Sequence, residues 1–293
     1  MATDSRKAAV AVIGAGNMGA AFIEGLVAAG YPPGRIVATD VRRERLSDLA
    51  SRLRVRTATD NAAAARSAGA VVLAVKPQII DRALADLAGA VGHRPLVISF
   101  AAGVPTALIE RALGRGVAVV RAMPNLPVSV GRGATAIAPG RNASRAAVRS
   151  ARTLLGRVGV VVDVEEDQMD AVTGLSGTGP MYVFIIIEAL ADAGVRVGLH
   201  RDVATSLSVQ TVLGAAEMVA RSGRHPIHLK DMVTSPGGTA ITALHSMERT
   251  GLRAVLMDAV QAAAERSAEL GRAHLSSSAA PEGPAAGNDR RPR

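Results

Sequence analysis

One ten-residue segment near the start of the chain, VAVIGAGNMG (residues 10–19), constrains the fold more than any other. It sets Gly14, Gly16 and Gly19 in G-x-G-x-x-G spacing, after a strand-like apolar run and at the opening of a helical one. Each glycine has its own physical reason. The first permits a tight turn, the second lets a pyrophosphate approach the backbone, and the third lets the helix pack on the sheet. Phosphate would then sit at the positive end of the helix, beside Asn17 and Met18. A glycine turn without a ligand could carry the same residues. Here strand, helix and the ~30-residue spacing of a βαβ unit all agree, so the segment reads as a dinucleotide site.

At 293 residues the chain exceeds the usual single-domain size. Its first half alternates short apolar runs with amphipathic stretches, as βα units on a parallel sheet do. Strands are expected at 10–13, 36–39, 70–75, 96–99, 117–121, 135–138 and 160–164. Helices are expected at 18–29, 43–53, 78–87 and 145–156. The run AVVLAV (70–75) does not alternate, which suits a strand covered on both faces. After Glu165 the pattern changes to helix-length segments punctuated by Gly and Pro: 179–193, 201–222, 226–233 and 237–271, the last broken near Gly251. The fold class is therefore α/β, a Rossmann-type dinucleotide-binding domain (1–165) followed by an all-α domain (166–272). The Ser-, Ala-, Pro- and Gly-rich remainder (273–293) is expected to be a disordered tail. Apolar residues surround much of 203–219, and so small a domain would bury such a helix against another subunit.

Composition narrows the function. Cys is absent, which excludes thiolate metal sites and a cysteine nucleophile and fits a cytoplasmic enzyme. The net charge of +9 comes almost entirely from scattered arginines, since the only lysines are Lys7, Lys76 and Lys230. Without a basic stripe interleaved with aromatics, a nucleic-acid partner is not expected. The apolar run 181–187 is far shorter than the ~20 residues that span a bilayer, so no membrane segment is expected either. Asp40 stands about 20 residues past the glycine turn, where an acid holds ribose hydroxyls and favours NADH. Arg42 and Arg43 follow at once, suited to a 2′-phosphate and so to NADPH. Asp40 could equally cap the next helix. Lys76 and Pro77 sit at a strand end, on the edge of the sheet that faces ligands. Glu165, Glu166, Asp167 and Asp170 read as an acidic helix start that suits the helix dipole.

Five uncommon segments remain: AVKPQ (74–78), AAGVP (101–105), RAMPNLP (121–127), DAVTGLSGTGPMY (170–182) and KDMVTSPGGTAITALHSME (230–248). In this order and spacing, over residues 8–271, the chain resembles the pyrroline-5-carboxylate reductases. The resemblance implies hydride transfer from NADPH or NADH to the C=N bond of 1-pyrroline-5-carboxylate, giving L-proline. It implies interlocked homodimers, often assembled into larger rings. It maps cofactor contacts onto Gly14, Gly16, Asn17, Met18, Gly19, Asn61, Val75, Lys76, Pro77 and Ala102, with Met123 and Asn125 of the MPN turn nearby. The substrate pocket maps onto Ser235, Gly237, Gly238, Thr239 and Ala240, completed by the partner, with Thr239 as the catalytic hydroxyl. Independently, SPGGTA reads as a tight turn feeding a helix, whose free N–H groups would anchor a carboxylate.

Three positions depart from the family's usual pattern. Ala240 stands where a second hydroxyl residue is common, Leu126 replaces the Thr of PNTP, and Met181 replaces a small Ala. Neutral drift explains each singly. Together they suggest a pocket reshaped for a related cyclic imino acid, or a catalytically weakened cofactor-binding paralogue. A hydroxyacid dehydrogenase is the nearest enzymatic rival, but Lys230 opens KDMV and lacks the Asn of a Lys-x-x-Asn pair.

Overall fold

The computed structural model of the protein describes residues 9–278. Eight strands form one sheet in the order β3-β2-β1-β4-β5-β6-β7-β8: β1 (Ala9–Ile13), β2 (Ile36–Thr39), β3 (Arg56–Ala58), β4 (Ala68–Leu73), β5 (Leu96–Ser99), β6 (Ala118–Met123), β7 (Gly133–Pro139) and β8 (Gly159–Asp163). The first six reproduce the doubly wound 3-2-1-4-5-6 order. Six helices flank the sheet: α1 (Asn17–Ala28), α2 (Arg43–Leu53), α3 (Asn61–Arg66), α4 (Ile80–Ala88), α5 (Thr106–Leu113) and α6 (Arg145–Leu155).

The sheet departs from the parallel arrangement of its βα units at one place, where β6 pairs β7 antiparallel. Only a short 3₁₀ stretch, Leu126–Val130, joins them, and parallel neighbours need a longer crossover. Two layers of aliphatic side chains cover the sheet. Val12, Val72, Ile98 and Val120 lie with Phe22 and Leu26 on one face, and Val71, Leu73 and Val97 with Leu84 and Ile109 on the other. β3 and the helices α3 and α5 were not expected. β3 is a three-residue, mostly exposed strand at the sheet's end, too polar to show an apolar run.

From Glu166 onward the described residues are helical. A capping box between Glu165 and Gln168 opens the segment, α7 (Met169–Val172) widens into one π turn over Thr173–Gly177, and α8 (Gly179–Arg196) follows. Then come α9 (Arg201–Ser222), α10 (Pro226–Met232), α11 (Thr239–Arg249) and α12 (Leu252–Ser278). The break near Gly251 lies where expected, at a glycine with φ +75°. Residues 273–278, assigned to the tail from sequence, continue α12; the rest of that expected tail, 279–293, lies outside the described residues.

Two stretches, Glu166–Arg196 and Arg201–Ser222, are long and apolar enough to cross a bilayer by length and composition alone, an 18-residue window in each having a mean hydropathy of 1.4 and 1.3 respectively. The run 181–187 understated this, because the apolar residues are spread around the helices rather than gathered in one block. Phe184 and Ile185 on α8, and Leu207 and Leu213 on α9, are each more than half exposed in the single chain.

The helical region meets the sheet at its ligand-facing edge. Glu166 accepts hydrogen bonds from the Thr106 backbone N–H (2.7 Å) and hydroxyl (2.8 Å), supplying the first turn of α5 with a cap that Pro105 cannot provide. It also lies 3.6 Å from the buried Arg121 guanidinium. Glu166 thus serves the start of α5 rather than only its own helix, as the acidic cluster first suggested. Asp170 accepts from Ser267 of α12 at 2.6 Å. Nearby, Gly103 (φ +70°) and Gly271 touch backbone to backbone, such that a Cβ on Gly103 would stand 2.8 Å from Gly271 Cα.

Candidate active site

Each glycine of the turn has a visible requirement. Gly14 adopts φ +100°, and a Cβ there would stand 2.9 Å from the Ala74 carbonyl oxygen. A Cβ on Gly19 would fall 2.0 Å from Gly14 O, so helix and turn pack through its missing side chain. At Gly16 a Cβ would meet only the Arg45 guanidinium, at 3.5 Å. The face over Gly16 is therefore open, apart from one cation. Gly16 is also the N-cap of α1, and no side chain caps this helix. Its first N–H groups, including those of Asn17 and Met18, are thus presented as phosphate donors. These residues fit the pyrophosphate of a dinucleotide.

The turn opens on a cleft of ≈ 380 Å³, in the usual range for cofactor sites. Of the residues nominated from sequence, Gly14, Gly16, Asp40, Arg42, Asn61, Val75 and Lys76 line it. Asn17 lines an adjoining depression with Gly16 and Arg45. The cleft collects them because β1, β2, β3 and β4 run parallel, so the loops after each strand emerge along one edge. Ala102 and Met123 follow or end β5 and β6 on that same edge, outside the cleft lining.

The structure supplies partners for several of these residues and removes one alternative. Asp40 caps no helix, because the N-cap of α2 is Arg42. Its Oδ2 accepts from Ala15 N at 3.0 Å and its Oδ1 from Arg42 N at 2.9 Å, while Arg45 Nη1 lies 3.8 Å away. The carboxylate ties the glycine turn to the end of β2. Asn61 is held at both ends of its amide: Oδ1 accepts from Thr39 Oγ1 at 2.6 Å, and Nδ2 donates to Asp86 Oδ2 at 3.0 Å. Asn125 is buried, and its Oδ1 accepts from Ala134 N, pinning the start of β7. Met123 packs against the helical region: a Cβ on Gly177 would stand 2.8 Å from its Cε. Pro77, Met18 and Gly19 do not line the cleft; Gly19 serves packing.

Sequence reasoning missed five polar members of the cleft, Thr39, Arg45, Thr59, Arg82 and Asp86. Arg45 stands one helical turn beyond Arg42, a spacing that puts both on neighbouring faces and could have flagged it.

The SPGGTA block forms the expected tight turn. Gly237 has φ +65°, Gly238 N donates to Ser235 O at 3.1 Å, and a Cβ on Gly238 would fall 2.2 Å from Ser235 Oγ. Gly238 is the N-cap of α11, again without a side-chain cap, so this helix start also offers unclaimed N–H groups. Ser235, Gly237 and Thr239 are exposed and Ala240 half-buried. None of this block lines the cleft, so within one chain the structure does not enclose the two candidate subsites together. Leu126 and Met181, two of the atypical residues, are both exposed.

Comparison with known proteins agrees with this layout. Residues 166–270 match a family model described as pyrroline-5-carboxylate reductase dimerisation, and residues 9–103 match one described as NADP oxidoreductase, coenzyme F420-dependent. The pyrroline-5-carboxylate reductase of Methanosarcina acetivorans is 48% identical over 90% of this chain and 98% of that protein. The structure of a pyrroline-5-carboxylate reductase from Coxiella burnetii superposes with a TM-score of 0.83 at 39% identity, covering 90% of this chain and 98% of that one. A Plasmodium falciparum pyrroline carboxylate reductase solved with NADP bound gives 0.83 at 29% identity, covering 92% and 100%. With the glycine turn, the LSGTGP segment and the SPGGTA helix start in one chain of this fold, the protein belongs to the pyrroline-5-carboxylate reductase family.

Proposed function

We propose that this protein reduces the C=N bond of 1-pyrroline-5-carboxylate to give L-proline, using NADPH or NADH. The uncapped start of α1, open over Gly16 at the mouth of the cleft, carries the reading, in a chain of this family. A reduced nicotinamide supplies the hydride when bound. The chain's own residues then have positional work. Gly14, Gly16 and the first N–H groups of α1 hold the pyrophosphate, while Asn61, Val75 and Lys76 line the route along the sheet edge. The N-terminus of α11 (Gly238 and Thr239, after Ser235 and Gly237) receives the substrate carboxylate. The Thr239 hydroxyl hydrogen-bonds the ring nitrogen. Such placement lowers the barrier without a strong acid or base, because a protonated imine is already electrophilic.

In this reading residues 1–165 form the cofactor domain, and the helical region from 166 forms the substrate and dimerisation domain. A second copy covers the apolar faces of α8 and α9 and completes the substrate pocket, in an interlocked homodimer that can build a larger ring. Covered in this way, α8 and α9 need no bilayer, and the proposed compartment is the cytoplasm. The test is to mix the protein with reduced cofactor and the pyrroline substrate and follow the absorbance of NADPH and NADH in parallel. Oxidation of neither would overturn the proposal. Ala240, which offers no hydroxyl beside Thr239, favours a second reading in which a related cyclic imino acid is the better substrate. Six-membered imino acids in the same assay separate the two.

A further inference from the structure

We propose that the corner of the cleft beyond Asp40 is a phosphomonoester site that makes the protein selective for NADP(H) over NAD(H), with Arg42 and Arg45 as the residues that decide it. The inference rests on the cofactor reading above and goes beyond it, because the Asp40 and Arg42 signals conflict in the sequence.

The structure resolves the conflict through the occupation of Asp40. An acid that selects NAD(H) must offer its carboxylate oxygens to two ribose hydroxyls. Here each oxygen already accepts a backbone N–H, from Ala15 and from Arg42, which takes one of its two acceptor positions, and with the Asp40 side chain only 10% exposed little of the other faces the cleft. The Arg45 guanidinium 3.8 Å from Oδ2 offsets its charge. Asp40 holds the turn and offers a ribose little exposed surface.

The cations of the cleft have the opposite character. Arg42 follows directly on the loop, Arg45 projects from the first turn of α2, Arg82 comes from α4 and Lys76 from the end of the β4 loop. Only two carboxylates, Asp40 and Asp86, share the lining among the described residues, and Asp86 holds the Asn61 amide. Arg42 is exposed, and among the described residues no carboxylate forms an ion pair with its guanidinium. A cleft with more cations than carboxylates, at the point where the adenosine ribose of a dinucleotide ends, suits a doubly charged phosphate and leaves a ribose hydroxyl without a committed acceptor. Guanidinium groups pair with phosphate through parallel charge-assisted hydrogen bonds, which NAD(H) cannot use. Arg43, the other candidate from sequence, is exposed and does not line the cleft.

Titration calorimetry of the full-length protein with NADP⁺ and NAD⁺ tests this directly, with adenosine 2′-monophosphate and adenosine 5′-monophosphate as fragment probes. The expected result is at least tenfold tighter binding of NADP⁺, and preference for the 2′-monophosphate fragment. In the Arg42→Ala/Arg45→Ala double variant the ratio of the two affinities should fall by about ten- to a hundredfold, the range set by loss of one or two charge-assisted contacts. Arg43→Ala should leave the ratio unchanged. Equal affinity of the wild-type protein for the two cofactors would overturn the inference, as would an equal loss of both in the double variant. The reductase reading fails separately, only if neither reduced cofactor is oxidised by the imine.

Discussion

The sheet region and the helical region draw on the same small aliphatic residues and spend them differently. Around the sheet, Val12, Val72, Ile98 and Val120 are almost wholly buried between their own helices. Beyond Met169, the only buried apolar side chains among the described residues are Ala191 and Ala204, while α8 and α9 carry Phe184, Ile185, Leu207 and Leu213 into solvent. Burial is worth roughly 25 cal/mol per Å² of apolar surface, so a face of that extent left wet forgoes much of what holds a small domain together. The first region is complete as a single chain. The second is half of a core.

The most severe test of that contrast is the Leu207→Glu/Leu213→Glu variant. It should shift sedimentation from dimer to monomer, weakening association by at least about a hundredfold, as loss of central apolar anchors does. A dimer that survives would show that these faces are not the shared core. Next in size is Gly19→Ala in the self-sufficient region. A Cβ 2.0 Å from Gly14 O should cost about 3 kcal/mol in denaturant unfolding and abolish cofactor binding. Unchanged stability would mean that the turn can yield. Glu166→Ala probes the seam between the regions. It strips the cap from Thr106 and leaves Arg121 without its acid, for an expected loss of about 2 kcal/mol. A loss below ~0.5 kcal/mol would mean the seam is held elsewhere. The smallest effect belongs to Ala240→Thr, which should raise kcat/KM on the pyrroline substrate by about tenfold if a missing hydrogen bond limits the rate. No gain would count against that account.

Much of the sheet region was legible because unbroken Val, Ile and Ala runs announce strands covered on both faces: β2 and β5 fall where the sequence put them, and α2 and α9 match residue for residue. What escaped had weak or misleading signals. The strand β3, Arg-Thr-Ala, carries no apolar pattern, and α3 is a six-residue helix of mostly Ala whose clearest mark is the Asp60 cap. At the site, spacing located the glycine turn but could not show which way a side chain is committed. Asp40 read as a ribose acceptor or as a helix cap, until its partners Ala15 and Arg42 were seen. Arg82 lies far from any motif, and only the run of α4 beside the cleft brings it there.

The contact between Gly103 and Gly271 has a mechanical meaning. Two main chains meet there with no side chain between them, so no compressible layer separates the loop after β5 from the far part of α12. The same helix is gripped again where Gly174 meets Val260 and Ala264. A rod clamped at two such points cannot swing like a hinged lid. Any opening of the cleft is then expected in its own loops rather than at this seam.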